Sequence, residues 1–158
     1  MKIILDDLSQ PAVALLLQQH LDDMYRISPP ESVHSLDLNR LKSPNIKFWC
    51  AWQNTQLLGC GALKLDEGKH GEIKSIRTDN HHRRKGVATA ILQHIIQFAH
   101  DNNLVRLSLE TGSHAFFEPA HLLYQGHGFQ FCGPFADYQP DPNSKFMTLT
   151  LSKDLQLV

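Results

Sequence analysis

Three adjacent cations, Arg83, Arg84 and Lys85, stand directly before Gly86 and an apolar pattern with helical spacing that begins at Val87. A segment with the alternation of a β-strand precedes the cations. The first turn of a helix has backbone N–H groups without partners, and the helix dipole is positive there, so this strand–loop–helix unit can bind an anion. Cations at this end do not stabilise the helix itself, which prefers acids there. The pattern predicts a site for a bound polyanion, with a solvated basic loop as the alternative.

Two common phosphate-binding motifs are missing from the sequence. There is no G-x-x-x-x-G-K-[ST], and no G-x-G-x-x-G follows a predicted strand. A P-loop and a dinucleotide-binding fold are therefore disfavoured, and the anion site needs another framework.

The elements that must position this site follow from periodicity and from turn residues. The sequence predicts a mixed α/β or α+β fold, in a single domain covering residues 1–158. The predicted strands are 3–5, 47–52, 57–65, 72–78, 105–110, 129–132 and 146–151. The predicted helices are 11–25, a second one that turns Val33, Leu36 and Leu41 inward before Pro44, a third from 87 to about 100, and a short fourth from Pro119 to Gly128.

Composition excludes several classes of protein. The net charge of −1 over 158 residues argues against nucleic acid as the main partner. Three cysteines without C-x-x-C spacing, and ten histidines that mostly stand singly, predict no disulfide framework and no metal site. No apolar run is long enough for a signal peptide or a membrane span, so we expect a cytoplasmic protein without a membrane partner.

Two motifs carry a family resemblance. Arg83-x-x-Gly86-x-Ala88 resembles the Q/R-x-x-G-x-G/A signature of the GNAT acetyltransferases. The run from Ala120 through Leu123-Tyr124 to Gly128-Phe129 resembles that family's A-x-x-L-Y-x-x-x-G-F. One helix and one strand are predicted between the motifs, and the order of elements is similar to the family's from about residue 2 to residue 151. The resemblance implies the GNAT acyl-CoA N-acyltransferase fold: a central, mostly antiparallel sheet with splayed fourth and fifth strands, flanked by about four helices.

The resemblance also implies acetyl-CoA as co-substrate, without a metal. Its pantetheine arm would pair with the backbone of the fourth strand, and its pyrophosphate would lie on backbone amides after that strand. Phe117 occupies a position where the family often has Asn, and it belongs to an aromatic segment that packs either on the cofactor or in the core. The residues expected to bind the cofactor are Ile76, Arg77, Thr78, Arg83, Arg84, Lys85, Gly86, Val87, Ala88, Thr89 and Phe117.

The catalytic candidates follow from the same resemblance. Tyr124 lies where similar enzymes place the acid that protonates the leaving thiolate; the alternative is a packed helix tyrosine. Glu72 is placed like the base of histone-type members, although it is equally consistent with a surface glutamate paired with Lys74. Strand alternation puts Glu72 on the side of Lys74, Ile76 and Thr78. Glu110 is the second candidate base, and a water relay is the third possibility.

The function implied is transfer of an acetyl group to a primary amine of a small molecule, by direct attack in a ternary complex. A protein or peptide amine as acceptor, and an acyl-CoA-binding module without turnover, are the alternatives. We expect the acceptor side in residues 28–34 and 133–138, where His34 and Tyr138, with the nearby Arg26, could read a polar amine. Apolar residues of the last strands predict a homodimer: Phe146, Met147, Leu149 and Leu151.

Overall fold

A computed structural model describes residues 1–151, and residues 152–158 lie outside that description. A seven-stranded sheet crosses it in the order β1-β2-β3-β4-β5-β7-β6. All pairs of neighbouring strands are antiparallel except β4 and β5, which are parallel. The strands are β1 (Lys2–Leu5), β2 (Ile46–Gln53), β3 (Gln56–Asp66), β4 (His70–Thr78), β5 (Arg106–Gly112), β6 (Gln130–Cys132) and β7 (Ser144–Thr150).

Four helices cover the two faces of this sheet: α1 (Pro11–Ile27), α2 (Leu38–Leu41), α3 (Val87–Asp101) and α4 (Glu118–Gly126). On one face, the apolar stripe of α3 and part of α4 pack on the centre of the sheet. On the other face, α1 and α2 pack on β2 and β3. None of the helices in residues 1–151 is long and apolar enough to cross a membrane.

The predicted second helix is wrong in extent. Residues Pro30–Ser32 form only a 3-10 turn, Val33 is extended, and α2 is a single turn. The cause is local, because the side chain of Asp37 accepts a hydrogen bond from the backbone N–H of Arg40 at 2.8 Å and so starts the helix at Leu38.

The separation of β4 from β5 creates the space for a site. The two strands pair only from His70 with Arg106 to Ile73 with Leu109. Beyond Ile73 the strands are no longer paired with each other, while β5 continues to pair with β7 as far as Gly112. The predicted splay of the fourth and fifth strands, in a mostly antiparallel sheet flanked by four helices, is confirmed.

A β-bulge in β4 changes which side chains share a face. Gly61 of β3 stands opposite two residues of β4, because Cys60 pairs with Arg77 and Ala62 pairs with Lys74. Ser75 lies within the bulge with a positive φ of 57°. Ile73 and Ile76 both pack on the α3 side as a result. The predicted alternation from Glu72 to Thr78 is therefore wrong beyond Lys74.

Two glycines of β3 bring α3 unusually close to the sheet. A Cβ atom on Gly59 would lie 2.9 Å from a methyl carbon of Val87, and one on Gly61 would lie 2.6 Å from a methyl carbon of Ile91. Only glycine permits this approach. The start of α3 is thereby fixed beside the end of β4, which is where the anion site was predicted.

The apolar residues of the last strand serve the core of the protein. β7 lies between β5 and β6, so it is not an edge of the sheet. Met147 is fully buried and Phe146 nearly so. The homodimer stays a prediction, but the interior position of β7 contradicts its expected basis in an exposed apolar edge.

Candidate active site

The turn that leads into α3 has the geometry of an anion site. Gly86 caps the helix in the left-handed conformation with φ 79°, and Arg84 also has a positive φ of 64°. The side chain of Val87 is buried in the core, which fixes the position of the turn. The backbone N–H of Ala90 is the first to bond within the helix, to the carbonyl of Gly86 at 3.0 Å. The earlier N–H groups of the first turn, including those of Val87, Ala88 and Thr89, therefore point away without helical partners.

The three cations before this turn are exposed. Within residues 1–151, neither Arg83, Arg84 nor Lys85 takes part in an ion pair. Their charges add to the positive end of the α3 dipole and nothing in the described chain neutralises them. The turn can therefore stabilise a polyanion through backbone amides and side-chain charge together.

A cleft of about 500 Å³ extends from this turn into the gap between β4 and β5. It brings together the three catalytic candidates and most of the predicted cofactor-binding residues. Lys85, Gly86, Val87 and Thr89 are not on its wall and belong to the turn at its mouth. The predicted residues that line the cleft are Glu72, Ile76, Arg77, Thr78, Arg83, Arg84, Ala88, Glu110, Phe117 and Tyr124.

Tyr124 reaches the cleft from α4. The residue is 8% exposed, and its ring meets that of Phe129 edge to face with centroids 5.5 Å apart. Burial raises the pKa of the Tyr124 hydroxyl above its ordinary value, so the group keeps its proton at neutral pH. The hydroxyl makes no hydrogen bond to any residue in the part of the chain that the structure describes. It is thus a proton donor without a resident acceptor.

Glu72 lies at the centre of a charged network on β4. Its side chain is buried, and Lys74 Nζ lies 3.0 Å from Glu72 Oε2. Lys74 also donates to the hydroxyl of Tyr138 at 3.0 Å, and that hydroxyl donates to the same oxygen of Glu72. The alternative of an exposed glutamate paired with Lys74 is half right: the pair exists, but it is buried.

Glu110 follows the last residue of β5 that pairs with β4. Burial raises the pKa of its carboxyl to about 7, against an ordinary value of 4.5, and the charge of Lys74 only partly offsets this effect. A carboxyl with this pKa is present in both protonation states near neutral pH and can exchange protons in either direction.

An aromatic pair, Phe116 and Phe117, forms the wall of the cleft before α4. The two rings meet edge to face with centroids 5.2 Å apart, and Phe117 is buried. The ring of Phe117 lies directly against Gly112, where a Cβ atom would come within 2.1 Å of a ring carbon. Phe117 can therefore take this position only because residue 112 is glycine. The sequence did not predict this requirement.

Of the three residues predicted for the acceptor side, His34 lines the cleft and Tyr138 packs directly behind it. The rings of His34 and Tyr138 meet edge to face with centroids 5.0 Å apart. Arg26 does not line the cleft; its exposed side chain pairs with Asp23 at 3.1 Å. The expectation for Arg26 is wrong because this position faces outward on α1.

Sequence reasoning missed a set of buried polar atoms on the opposite wall. His20 Nδ1, Ser75 Oγ and Arg77 Nε are buried and have no hydrogen-bond partner within residues 1–151. All three residues line the cleft. The guanidinium of Arg77 turns to α1, where it donates to Asp23 at 2.6 Å. Burial, with the nearby charge of Arg77, lowers the pKa of His20 to about 4, so the imidazole is neutral at pH 7.

Such atoms could not be found from the sequence, because the bulge at Ser75 decides which side chains face α1. Buried polar atoms nearly always have partners, so these three are exceptions within residues 1–151.

Comparison with known proteins agrees with this arrangement. Residues 14–129 match the model of the acetyltransferase (GNAT) family. The chain is 56% identical over 151 residues to the uncharacterized N-acetyltransferase YsnE of Bacillus subtilis, covering 96% of this chain and 100% of that protein. It is 52% identical over 152 residues to the uncharacterized N-acetyltransferase YedL of Escherichia coli, covering 96% of each. A solved structure from Klebsiella pneumoniae, named as an acyl-CoA N-acyltransferase, matches with a TM-score of 0.76 and 26% identity, over 96% of this chain and 97% of that one.

Proposed function

The chain belongs to the acetyltransferase (GNAT) family, and we propose that it transfers the acetyl group of acetyl-CoA to a primary amine of a small molecule, by direct attack in a ternary complex. One observation carries the proposal: a single cleft connects the anion-binding turn before α3 with Tyr124, Glu72 and Glu110. The same cleft can therefore bind a polyanionic acyl donor and supply the groups that transfer protons at its reacting end.

The residues around the cleft fit coenzyme A. Within residues 1–151, the edge of β4 beyond Ile73 has no strand partner on the β5 side, so the backbone of residues 74–78 can pair with an amide-containing arm. The amides after Arg84, with Arg83, Arg84 and Lys85, would hold the pyrophosphate. Phe117 and Phe116 would flank the arm where it enters the cleft. When bound, acetyl-CoA supplies the activated acetyl group as a thioester.

Two proton movements are needed, and the cleft offers a group for each. Glu72 would accept the proton that the amine loses, with Lys74 and Tyr138 fixing the orientation of the carboxylate. Tyr124 would donate its proton to the departing sulfur, since burial keeps the hydroxyl protonated. Glu110 is the second candidate for the base, because the pKa of its carboxyl lies near 7. A water relay between either carboxylate and the amine is compatible with the same arrangement.

The size and lining of the cleft favour a small acceptor over a protein segment. The acceptor half is bounded by α1 and by residues 32–35. Ser32 of that segment is itself fixed by a hydrogen bond of 2.6 Å to Asp141 in the loop before β7. His20, Ser75 and Arg77 line the same volume, so this end of the cleft has polar residues suited to a polar amine.

A screen of small amines with detection of free thiol tests the proposal. We expect thiol release from acetyl-CoA that depends on one class of small polar amine, with a stoichiometry of one acetylated amine per thiol. Acetyl-CoA binding by calorimetry without thiol release across the screen would contradict the enzymatic function and favour a binding module. Release only with peptide or protein amines would contradict the acceptor class and leave the transfer reaction intact.

A further inference from the structure

A second cavity of about 920 Å³ lies next to the cleft, on the side of the loop before β7. Residues 136–143 of that loop form one of its walls, and residues 31–46 contribute another. Four residues line both cavities: Ser32, His34, Glu72 and Lys74. They form a thin partition, and the proposed base Glu72 is part of it.

The loop holds this partition closed through contacts with all four residues. Tyr138 donates its hydroxyl to Glu72, accepts a hydrogen bond from Lys74 at 3.0 Å, and packs its ring against His34. Asp141 accepts a hydrogen bond from Ser32 at 2.6 Å. Tyr138 lines the second cavity but not the cleft, so its side chain stands behind the partition as seen from the reacting groups.

We propose that Tyr138 is a specificity-determining residue that holds the partition closed at the acceptor end of the cleft and so limits the length of the amine. The inference rests on the proposed function, since it concerns the acceptor of that same reaction. An amine whose nitrogen reaches Glu72 must extend away from the thioester, and the partition that Tyr138 holds in place blocks the direct route into the second cavity. Removing the side chain would release Glu72, Lys74 and His34 from the loop, so that the partition could open and admit a longer acceptor.

The second cavity would receive a polar extension rather than an apolar one. Its walls carry charged side chains of both signs, among them Arg40, Lys64 and Asp137. An apolar chain placed there would desolvate these groups without giving them partners, which is unfavourable. The acceptors that a wider cleft admits are therefore long, hydrophilic primary amines.

A length series tests the inference. Primary amines carrying one to six ethylene glycol units are measured as acceptors with the native protein, with Tyr138→Ala and with Tyr138→Phe, by release of free thiol. The ratio of kcat/KM for the longest to the shortest amine should rise by roughly tenfold or more in Tyr138→Ala. The Phe variant keeps the ring, so it should keep the native length preference even if its rate falls.

A matched control is Phe135→Ala, which removes a ring from the same aromatic cluster. The ring of Phe135 packs on the ring of Tyr138 with centroids 5.1 Å apart. Phe135 lines neither cavity, and its ring does not stack on any of the four shared residues. Its length profile should equal that of the native protein. An equal shift in Phe135→Ala would mean that loosening the loop, and not opening the partition, changes the preference, and it would overturn the role of Tyr138.

Calorimetry of the same amines with the CoA-loaded proteins separates this inference from the proposed function. If no protein releases thiol, but long amines bind to Tyr138→Ala and not to the native protein, the acetyl transfer is refuted and the partition stands. If the binding profile of Tyr138→Ala equals that of the native protein, or if no amine binds to either, the partition is refuted.

Discussion

Tyr138 donates its hydroxyl hydrogen to the carboxylate of Glu72, although the two residues are 66 positions apart in the chain. Lys74 donates to the same carboxylate oxygen at 3.0 Å. Two donors from different elements hold the carboxylate in one orientation at the edge of the cleft. A loop that sequence reasoning assigned only to the acceptor side thus also positions a candidate base.

The first prediction concerns Glu72 as the base. Glu72→Gln keeps the size of the side chain and an oxygen that can accept from Tyr138 and Lys74, but it cannot take a proton. We expect kcat to fall by about 10² to 10⁴-fold, the usual contribution of a general base. The affinity for acetyl-CoA, measured by calorimetry, should change little.

Glu67→Gln is the control for this change, because Glu67 is an exposed glutamate outside the cleft. Its kcat should equal that of the native protein. If Glu72→Gln retained native kcat while chemistry limits the rate, Glu72 would be structural, and Glu110 or a water relay would remain as the base.

The second prediction concerns the pH dependence that Glu110 imposes. Burial raises the pKa of this carboxyl from 4.5 to about 7, so the folded protein binds its proton more tightly than the unfolded chain does. The bound proton of Glu110 contributes fully to the unfolding free energy below about pH 4.5, and this contribution is lost as the pH rises through about 7. In Glu110→Gln, the side chain at this position is uncharged at every pH. Its unfolding free energy relative to the native protein should therefore rise by on the order of 1 to 3 kcal/mol from about pH 5 to about pH 8.

Chemical denaturation at several pH values measures this difference. Glu67→Gln serves again as the exposed control and should show no comparable trend. A difference between Glu110→Gln and the native protein that is constant from pH 5 to pH 8 would mean that Glu110 is ionised throughout, which contradicts its raised pKa.

Much of the fold was accessible from the sequence, because periodicity and turn residues report directly on local structure. The stripe from Val87 along α3 and the hairpin of β2 and β3 are of this kind, and the order of the main elements was predicted correctly. The short connection before β2 was not, since one side chain, that of Asp37, decides where its single helical turn begins.

The features of the candidate site also fall into those with a local sequence signal and those without one. The turn at Gly86 and the position of Tyr124 belong to short motifs, so the sequence alone predicts both. The bulge at Ser75 depends on how β4 packs against β3, and the contact between Tyr138 and Glu72 depends on where a long loop docks. Neither has a local sequence signal, and both decide which polar residues line the proposed acceptor end of the cleft.

The third prediction concerns the proposed anion-binding turn before α3. Gly86→Glu would place a carboxylate where the pyrophosphate is proposed to lie, and the two negative charges would repel each other. We expect acetyl-CoA binding to become undetectable by calorimetry, while the protein stays folded by circular dichroism. An unchanged affinity in the folded variant would refute the assignment of this turn.

Gly68→Glu separates charge at the site from backbone strain. Gly68 has a φ of 72°, close to the 79° of Gly86, and a Cβ atom at either position would meet no atom of the described residues within 4 Å. The two variants should therefore lose similar stability. Only Gly86→Glu should lose acetyl-CoA binding; equal losses of binding would point to strain as the cause.

The fourth prediction concerns the support that Gly112 gives to Phe117. A methyl group at Gly112 would lie 2.1 Å from a ring carbon of Phe117, so Gly112→Ala must displace the ring. We expect a loss of roughly 1 to 3 kcal/mol in unfolding free energy and a weaker affinity for acetyl-CoA. Gly133→Ala is the control, since a Cβ atom there meets nothing within 4 Å in the part of the chain that the structure describes. Unchanged affinity in Gly112→Ala would show that Phe117 packs in the core without contacting the cofactor.

The last prediction concerns Tyr124 as the acid. If its hydroxyl protonates the leaving sulfur, Tyr124→Phe should lower kcat while the affinity for acetyl-CoA stays nearly unchanged. General acid catalysis contributes about 10² to 10⁴-fold, which corresponds to roughly 3 to 5 kcal/mol. We expect the lower end of this range, because a CoA thiolate is already a fair leaving group and a water can replace the hydroxyl. Thermal stability should change little, since the ring keeps its contact with Phe129 and the hydroxyl has no hydrogen bond within residues 1–151 to lose. Tyr25→Phe is the control, because Tyr25 is 56% exposed on α1. If Tyr124→Phe retained full kcat with its acceptor, with chemistry established as the slow step, Tyr124 would be a packing residue and another group would protonate the thiolate.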